Sequence, residues 1–408
     1  MWEKLLDRFA EGQISVGNLE IQFPSGAKKS YGDGSGPKIS VSIADTASLR
    51  QVVLRPEMGL GEAYMDGRLR IKGDDISGFL RLMVINIGQR GILWQRPFAS
   101  LRHAARRFHQ ANPIYQARTN VAHHYDLSAG LYDLFLDADK QYSCAYFRNP
   151  DDTLETAQAQ KKAHIAAKLR LEPGMRVLDI GCGWGGLALS LAKNHGVSVT
   201  GITLSKEQHK IAVARAADAG LEARVEFKIC DYRKVTGTFD RVVSVGMFEH
   251  VGVPNYGDYF GLVRDKLTPD GIALIHTIGR RTPPGVTSPW ITKYIFPGGY
   301  VPALSEVMQA VERNDLWSAD IEVWRLHYAE TLRHWHDRFV ANAERAKAIY
   351  DERFYRMWRF YLIASELTFR ESRQVVFQLQ LSRKVDAVPI TRDYLYADSR
   401  DSVSHAAE

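Results

Sequence analysis

Apolar and polar residues alternate with a period of two in LEIQF (19–23) and again in ISVSI (39–43), on either side of the turn-rich stretch SGAKKSYGDGSGPK. That period predicts two strands joined as a hairpin. Helical spacing follows near Thr46–Leu54, Leu60–Met65 and Ile76–Ile87, so residues 1–88 read as a small α+β domain. From Met175 the period itself alternates. RVLDI leads to a helix from Gly185, VSVTGIT to a helix from Ser205 to Ala219, then RVEFKIC, FDRVVSVG, a helix near Tyr256–Leu267, and GIALIHTI. Repeated βαβ units predict a mostly parallel sheet, doubly wound, with helices on both faces. A long insert from Gly279 to about Leu332 runs into a helical stretch ending near Arg373, and the period returns to two in QVVFQLQLSRK. The expected organisation is therefore 1–88, a linker over 89–119, an α/β domain over 120–396 with an insert at about 279–372, and a frayed polar tail over 397–408.

Composition narrows the classes. The 408 residues are 45% hydrophobic and 25% charged, which excludes disordered and fibrous chains. Cys144, Cys182 and Cys230 include no CxxC pair, so neither a disulfide framework nor a structural zinc site is expected, and no metal is assigned. The start, MWEKLLDRFAEGQ, lacks the apolar core of a signal peptide, and no apolar run reaches spanning length, so a cytoplasmic location is expected. The net charge of +6 is matched by one window, Gln89–Tyr125, which holds six arginines and no carboxylate. Trp94, Phe98, Leu101 and Phe108 interleave with those arginines. Such a segment suits either an anionic surface or a solvated linker helix.

The sharpest motif is VLDIGCGWGGLA (177–188). A buried strand ends near Asp179, and Gly181, Gly183 and Gly185 let a ligand approach the backbone at a helix amino terminus. A nucleotide cofactor is implied, although glycine spacing alone does not separate dinucleotides from other adenosine ligands. The D-x-G-x-G form resembles motif I of S-adenosylmethionine-dependent methyltransferases. The second strand ends GITLS without the acid that dinucleotide enzymes use, leaving Gln208 to reach a ribose. After the third strand, Asp231, Tyr232 and Arg233 stand where such methyltransferases hold adenine; the alternative is that Tyr232 merely covers the sheet edge.

The fourth strand ends VVSVGMFEH and lacks the [DN]-P-P-[YF] cage of base-amino methyltransferases, which weighs against nucleic acid. Glu249 and His250 follow it, and His276 ends the fifth strand. Carboxyl ends of neighbouring strands border the ligand crevice of open α/β sheets, so Glu249 and His276 are expected to face one site unless they are simply satisfied structural residues.

NVAHHYDLSAGLYDLFLD, YSCAYF, VLDIGCGWGGLA, GITLSKEQ, VSVGMFEHVG, LIHTIG, HYAETLRHW and QVVFQLQL, in that order from about Asn120 to Arg383, together resemble the cyclopropane-fatty-acyl-phospholipid synthase family, which is related to the mycolic acid cyclopropane synthases. The resemblance implies a Rossmann-like S-adenosylmethionine-dependent methyltransferase fold with an extra N-terminal domain and a helical acyl-binding insert. It implies transfer of a methylene group from S-adenosyl-L-methionine to the cis double bond of unsaturated acyl chains in phospholipids. A bound bicarbonate would be the general base, with ligands falling on Cys144, Glu249, His276, the backbone of Ile278, and Tyr328. Beside such an anion Glu249 has to be protonated or buttressed by His276, because like charges repel. Cofactor contacts carry over to Tyr142, Ser143, Gly181, Cys182, Gly183, Thr203, Leu204, Gln208, Tyr232 and Arg233, beside Asp179 and Asp231. His124, Tyr125 and Asp126 match a family segment near the cofactor's methionine end, for which a lid or positioning role is expected rather than chemistry.

One departure is Ser365, where many family members carry a cysteine; a serine without a base cannot replace a thiolate. With a phospholipid substrate the basic window reads as a docking element for the inner membrane face, each arginine adding about 1 kcal/mol near anionic lipid. A bilayer surface is thus the expected partner, without nucleic acid, and the longer family members imply a homodimer. Formation of a methyl- or methylene-branched chain is the first alternative. A methyltransferase for a small molecule or nucleic acid, and a lipid-binding protein without catalysis, are the others.

Overall fold

The computed structural model describes residues 1–88 and 129–396. The basic window, the segment His124–Asp126 and the tail from Ala397 lie outside the described residues.

The N-terminal sheet contains β1 (Asn18–Gln22), β2 (Lys28–Tyr31), β3 (Lys38–Ile43) and β4 (Leu69–Ile71), in the order β2-β1-β3-β4. The hairpin expected between the two alternating segments does not form. Leu19 pairs with Ile39 in a parallel ladder, and the antiparallel partner of β1 is β2, where Leu19 faces Tyr31. Strand β2, KKSY, lies at the sheet edge with only Tyr31 buried, so hydrophobic period gave no sign of it. Helices Thr46–Leu54 and Ile76–Ile87 lie where their periodicity places them, capped by Asp45 and Asp75, which accept from Ser48 N and Gly78 N at 2.8 Å. The intervening helix starts at Pro56, four residues earlier than expected, because proline is pre-set for the first helical turn.

This unit packs on the insert of the larger domain. Glu62 pairs with Lys293, Asp66 with Arg353 and Arg81 with Glu371, each at 2.7 Å, and Asp74 pairs with Arg359. Helix Pro56–Met65 approaches Trp290 so closely that a Cβ on Gly61 would stand 2.4 Å from the indole nitrogen. Gly61→Val is accordingly expected to lower unfolding stability by about 1–3 kcal/mol, read from the urea midpoint of the full chain.

Strands β5 (Arg176–Ile180), β6 (Ser198–Thr203), β7 (Val225–Ile229), β8 (Phe239–Val245), β9 (Leu267–Arg280), β10 (Trp317–Trp324) and β11 (Gln374–Ser382) form the second sheet, ordered β10-β11-β9-β8-β5-β6-β7. β5 to β9 run parallel, while β11 is antiparallel to both β9 and β10. Successive residues point to opposite faces, so Val177 and Val243 join one core and Leu178 and Val242 the other. β10 was not foreseen. It is an edge strand whose first three residues are exposed, and it carries little alternation. Because β6 and β8 flank β5 on opposite sides, the chain reverses its winding direction there, and a crevice opens at the carboxyl ends of β5 and β8. The insert contributes helices His327–Ala341 and Glu352–Leu367, whose Trp335, Trp358 and Tyr361 share one continuous core with the N-terminal unit. Among the described residues no helix is long and apolar enough to cross a membrane.

Candidate active site

At the carboxyl end of β5 the chain turns through Gly181, held at φ +85° with Met247 so close that a Cβ would meet its side chain at 2.9 Å. Only glycine permits both. One cavity opens above this turn. It is lined by Tyr142, Ser143, Asp179, Gly181, Cys182, Gly183, Thr203, Leu204, Gln208, Asp231, Tyr232 and Arg233, together with Lys161, Trp184 and His250.

Asp179 is buried, its Oδ2 has no hydrogen-bond partner among the described residues, and burial pushes its pKa up to about 7. A buried, unsatisfied carboxylate oxygen in a cavity is a receptor for a donor, and a ligand ammonium satisfies it best. Thr203 Oγ1 donates to Gln208 Oε1 at 2.9 Å, which leaves the Gln208 amide nitrogen without a hydrogen bond among the described residues. Asp231 is paired in a bidentate fashion, accepting from Arg233 Nε and Nη2 at 2.8 Å, while the Arg233 guanidinium lies 5.3 Å from the Tyr232 ring centre. Arg233 N also donates to Asp231 Oδ1, at 3.0 Å, so its own neighbour fixes the orientation of this carboxylate where it lines the cavity. These features suit an adenosyl amino acid.

The segment carrying Tyr142, Ser143 and Cys144 is fixed by one helix. Gln158, on Leu154–Leu169, donates from Nε2 to the carbonyls of Gln141 at 3.2 Å and Ser143 at 3.0 Å. Lys161, one turn later, donates to Gln141 Oε1 at 2.7 Å and Ser143 Oγ at 2.8 Å. Neither residue was picked out by sequence reasoning. The signal existed: Leu154, Ala157, Gln158, Lys161, Ile165 and Lys168 form the buried face of that helix, so polar groups occupy core positions. Tyr142 stacks on Trp335 with centroids 5.1 Å apart, and its hydroxyl meets that of Tyr361 at 3.0 Å. Tyr361, from the insert, was likewise missed.

Of the residues expected around the base, Glu249 and Ile278 meet at the end of β9. Ile278 N donates to Glu249 Oε1 at 2.7 Å, and Glu249 Oε2 is buried without a hydrogen-bond partner among the described residues. Burial pushes the Glu249 pKa up to about 7. His276 lies on the same face of β9 as Ile278, but its Nδ1 meets Gln378 Nε2 at 3.0 Å, and it shares no hydrogen bond or ion pair with Glu249 among the described residues. Of the two ways to quiet the Glu249 charge, protonation is the one that this burial favours. His276 is held neutral, its pKa pushed well down by burial. Cys144 and Tyr328 join the same apolar cluster against which Ile278 packs. Burial raises the Cys144 thiol, which donates to Ala145 O at 3.3 Å, so it is no thiolate nucleophile. The Ile278 N–H, expected to face an anion, is already engaged by Glu249; the unsatisfied Glu249 Oε2 is the polar group open to one. Ser365 sits in the helix Glu352–Leu367, where its carbonyl accepts from Thr368 Oγ1.

Comparison with known proteins places this geometry. Residues 113–379 match the mycolic acid cyclopropane synthetase family model, and residues 2–86 match a model described only as a domain of unknown function. The chain is 40% identical over 354 residues to the cyclopropane-fatty-acyl-phospholipid synthase of Escherichia coli, covering 87% of this chain and 90% of that protein. It is 34% identical over 382 residues to a tuberculostearic acid methyltransferase of Mycobacterium tuberculosis, covering 90% and 88%. The crystal structure of mycolic acid cyclopropane synthase CmaA1 complexed with SAH and CTAB aligns at a TM-score of 0.62 and 32% identity, covering 67% of this chain and 99% of that one. The glycine turn, the sheet order and these likenesses agree, and the chain belongs to the mycolic acid cyclopropane synthetase family, on the fold of S-adenosylmethionine-dependent methyltransferases.

Proposed function

We propose that this protein transfers the methylene carbon of S-adenosyl-L-methionine to the cis double bond of unsaturated acyl chains in phospholipids, forming cyclopropane rings. The observation that carries the reading is the pairing of a cofactor-shaped cavity with a buried, ionisable Glu249 among aromatic and apolar side chains. The sulfonium methyl is an electrophile that an alkene attacks without a nucleophilic side chain. What the protein must then supply is a dry pocket beside a developing carbocation and a route for one proton.

Asp179 receives the cofactor's ammonium, Ser143 its carboxylate end, Gln208 the ribose, and Tyr232 with Asp231 the adenine. Tyr142 and Tyr361 form the wall toward the acyl chain, their rings excluding water. A bicarbonate fits the unsatisfied Oε2 of Glu249, with Cys144, His276, Ile278 and Tyr328 completing its surroundings, and when bound it supplies a base of suitable strength. Glu249 is protonated there, so its carboxyl donates to the anion rather than repelling it. The basic window Gln89–Tyr125 supports docking on the inner face of a bilayer, and dimerisation is compatible with this reading.

Mass spectrometry of unsaturated phospholipid vesicles incubated with S-adenosylmethionine tests the reaction. The expected result is a gain of one CH2 per acyl chain with loss of the double bond on ozonolysis. The similarity to a tuberculostearic acid methyltransferase gives a second reading weight: a methyl- or methylene-branched product from the same site. A gain with the double bond retained would select the methylene-branched product, and no gain would overturn both.

A further inference from the structure

We propose that Lys161 is a positioning residue of the cofactor cavity, whose buried ammonium fixes Ser143 and selects ligands bearing an amino-acid carboxylate. The inference rests on the cofactor reading above. Lys161 is completely buried, yet it forms no ion pair among the described residues. Its neighbours on the same helix behave differently. Lys162 pairs with Asp139 at 2.5 Å, and Lys168 pairs with Glu322 at 2.5 Å. Lys161 instead rests on two neutral oxygens, Gln141 Oε1 and Ser143 Oγ, and an ammonium has three donors, so one is left over.

Burying a lone ammonium costs several kcal/mol in general, and a fold retains one where something compensates. The nearby buried Asp137 attracts the ammonium without an ion-pair contact and offsets part of that cost, and the remainder falls to the cavity that Lys161 itself lines. Asp179 lines the same cavity, and its buried Oδ2 has no hydrogen-bond partner among the described residues. A cation and a carboxylate that line one cavity, neither in an ion pair among the described residues, are the complement of an α-amino acid zwitterion, carboxylate toward Lys161 and Ser143, ammonium toward Asp179. Burial also pushes the Lys161 pKa down to about 8, so the group waits near its titration point for an anion to hold its proton.

Calorimetric binding of two ligands to the full chain tests this without turnover. S-Adenosylhomocysteine carries the amino-acid group, and 5′-methylthioadenosine lacks it. Lys161→Met is expected to raise the Kd for S-adenosylhomocysteine at least tenfold and to change that for methylthioadenosine less than twofold. Lys161→Gln, which keeps a donor for Ser143 without the charge, separates the two roles and carries the test if the methionine variant does not fold. Equal weakening of both ligands, or no change in either, would overturn the inference. If the wild-type protein binds methylthioadenosine but not S-adenosylhomocysteine, the zwitterion subsite is wrong; if it binds neither, the cofactor reading itself fails.

Discussion

Glu249→Gln is expected to reduce turnover by about two to four orders of magnitude, the range typical of losing general-base catalysis, because an amide is a weaker donor than the protonated carboxyl and holds the bicarbonate base less firmly. The substitution is nearly isosteric, and its remaining oxygen still accepts from Ile278 N, so the end of β9 keeps its geometry. What disappears is the ionisable Oε2. Affinity for S-adenosylhomocysteine should stay within about twofold, since Glu249 does not line the cofactor cavity. A variant retaining most of its turnover would sink the assignment of the base site. The pH dependence adds a second check. With the folded pKa at about 7 and the protonated form active, the wild-type rate should fall as pH rises through 7. Stability follows the same sign: the native state holds its proton between the ordinary glutamate value and 7 while the unfolded state does not, so stability declines across that window. The glutamine variant should show neither slope.

Asp179→Asn should separate stability from ligand binding. At neutral pH the buried carboxylate opposes folding by an amount on the order of a few kcal/mol, because its folded pKa of about 7 lies well above the usual aspartate value. The penalty is absent below the unfolded pKa and grows as pH rises toward 7. Asparagine removes it, and the ligand-free variant is expected to unfold at a higher temperature than the wild type at pH 7.5, with the difference vanishing near pH 4. Affinity for S-adenosylhomocysteine should nevertheless fall about tenfold or more, since a charge-assisted hydrogen bond to an ammonium contributes about 1.5–3 kcal/mol. Calorimetry and thermal unfolding on the same sample decide it. A variant that is less stable and binds equally well would show that Asp179 is structural.

Much of this was legible in the residues. The β5 turn, the ends of β6 and β8 and the period of β11 are written in local patterns, because glycine, strand alternation and helix spacing act within a few positions. The residues that the motifs singled out as cofactor contacts line one cavity. What escaped was of two kinds. Polar edge strands such as β2 and β10 bury too little to impose a period, so the N-terminal pairing was misread. Lys161, Gln158 and Tyr361 act across the fold on Ser143 and Tyr142, and a helix that places lysine at a core position looks, in sequence, like an imperfect amphipathic one. The contact of His276 with Gln378 belongs to the same kind: both are ordinary strand residues until β11 is laid against β9.

The placement of β11 has a bearing on how the chain comes to be made. It lies between β9 and β10, yet β9 ends at Arg280 and β11 spans Gln374–Ser382. At roughly 5–20 residues per second, translation leaves the β9 edge without its partner for about 5–20 s. During that interval a growing polypeptide displays an unpaired apolar strand, the kind of surface on which nascent chains aggregate or recruit chaperones. Premature termination anywhere in the insert therefore yields a product that lacks more than its last strand: the outer edge of β9 stays open, and β10, where it has been made, has no neighbour to pair with.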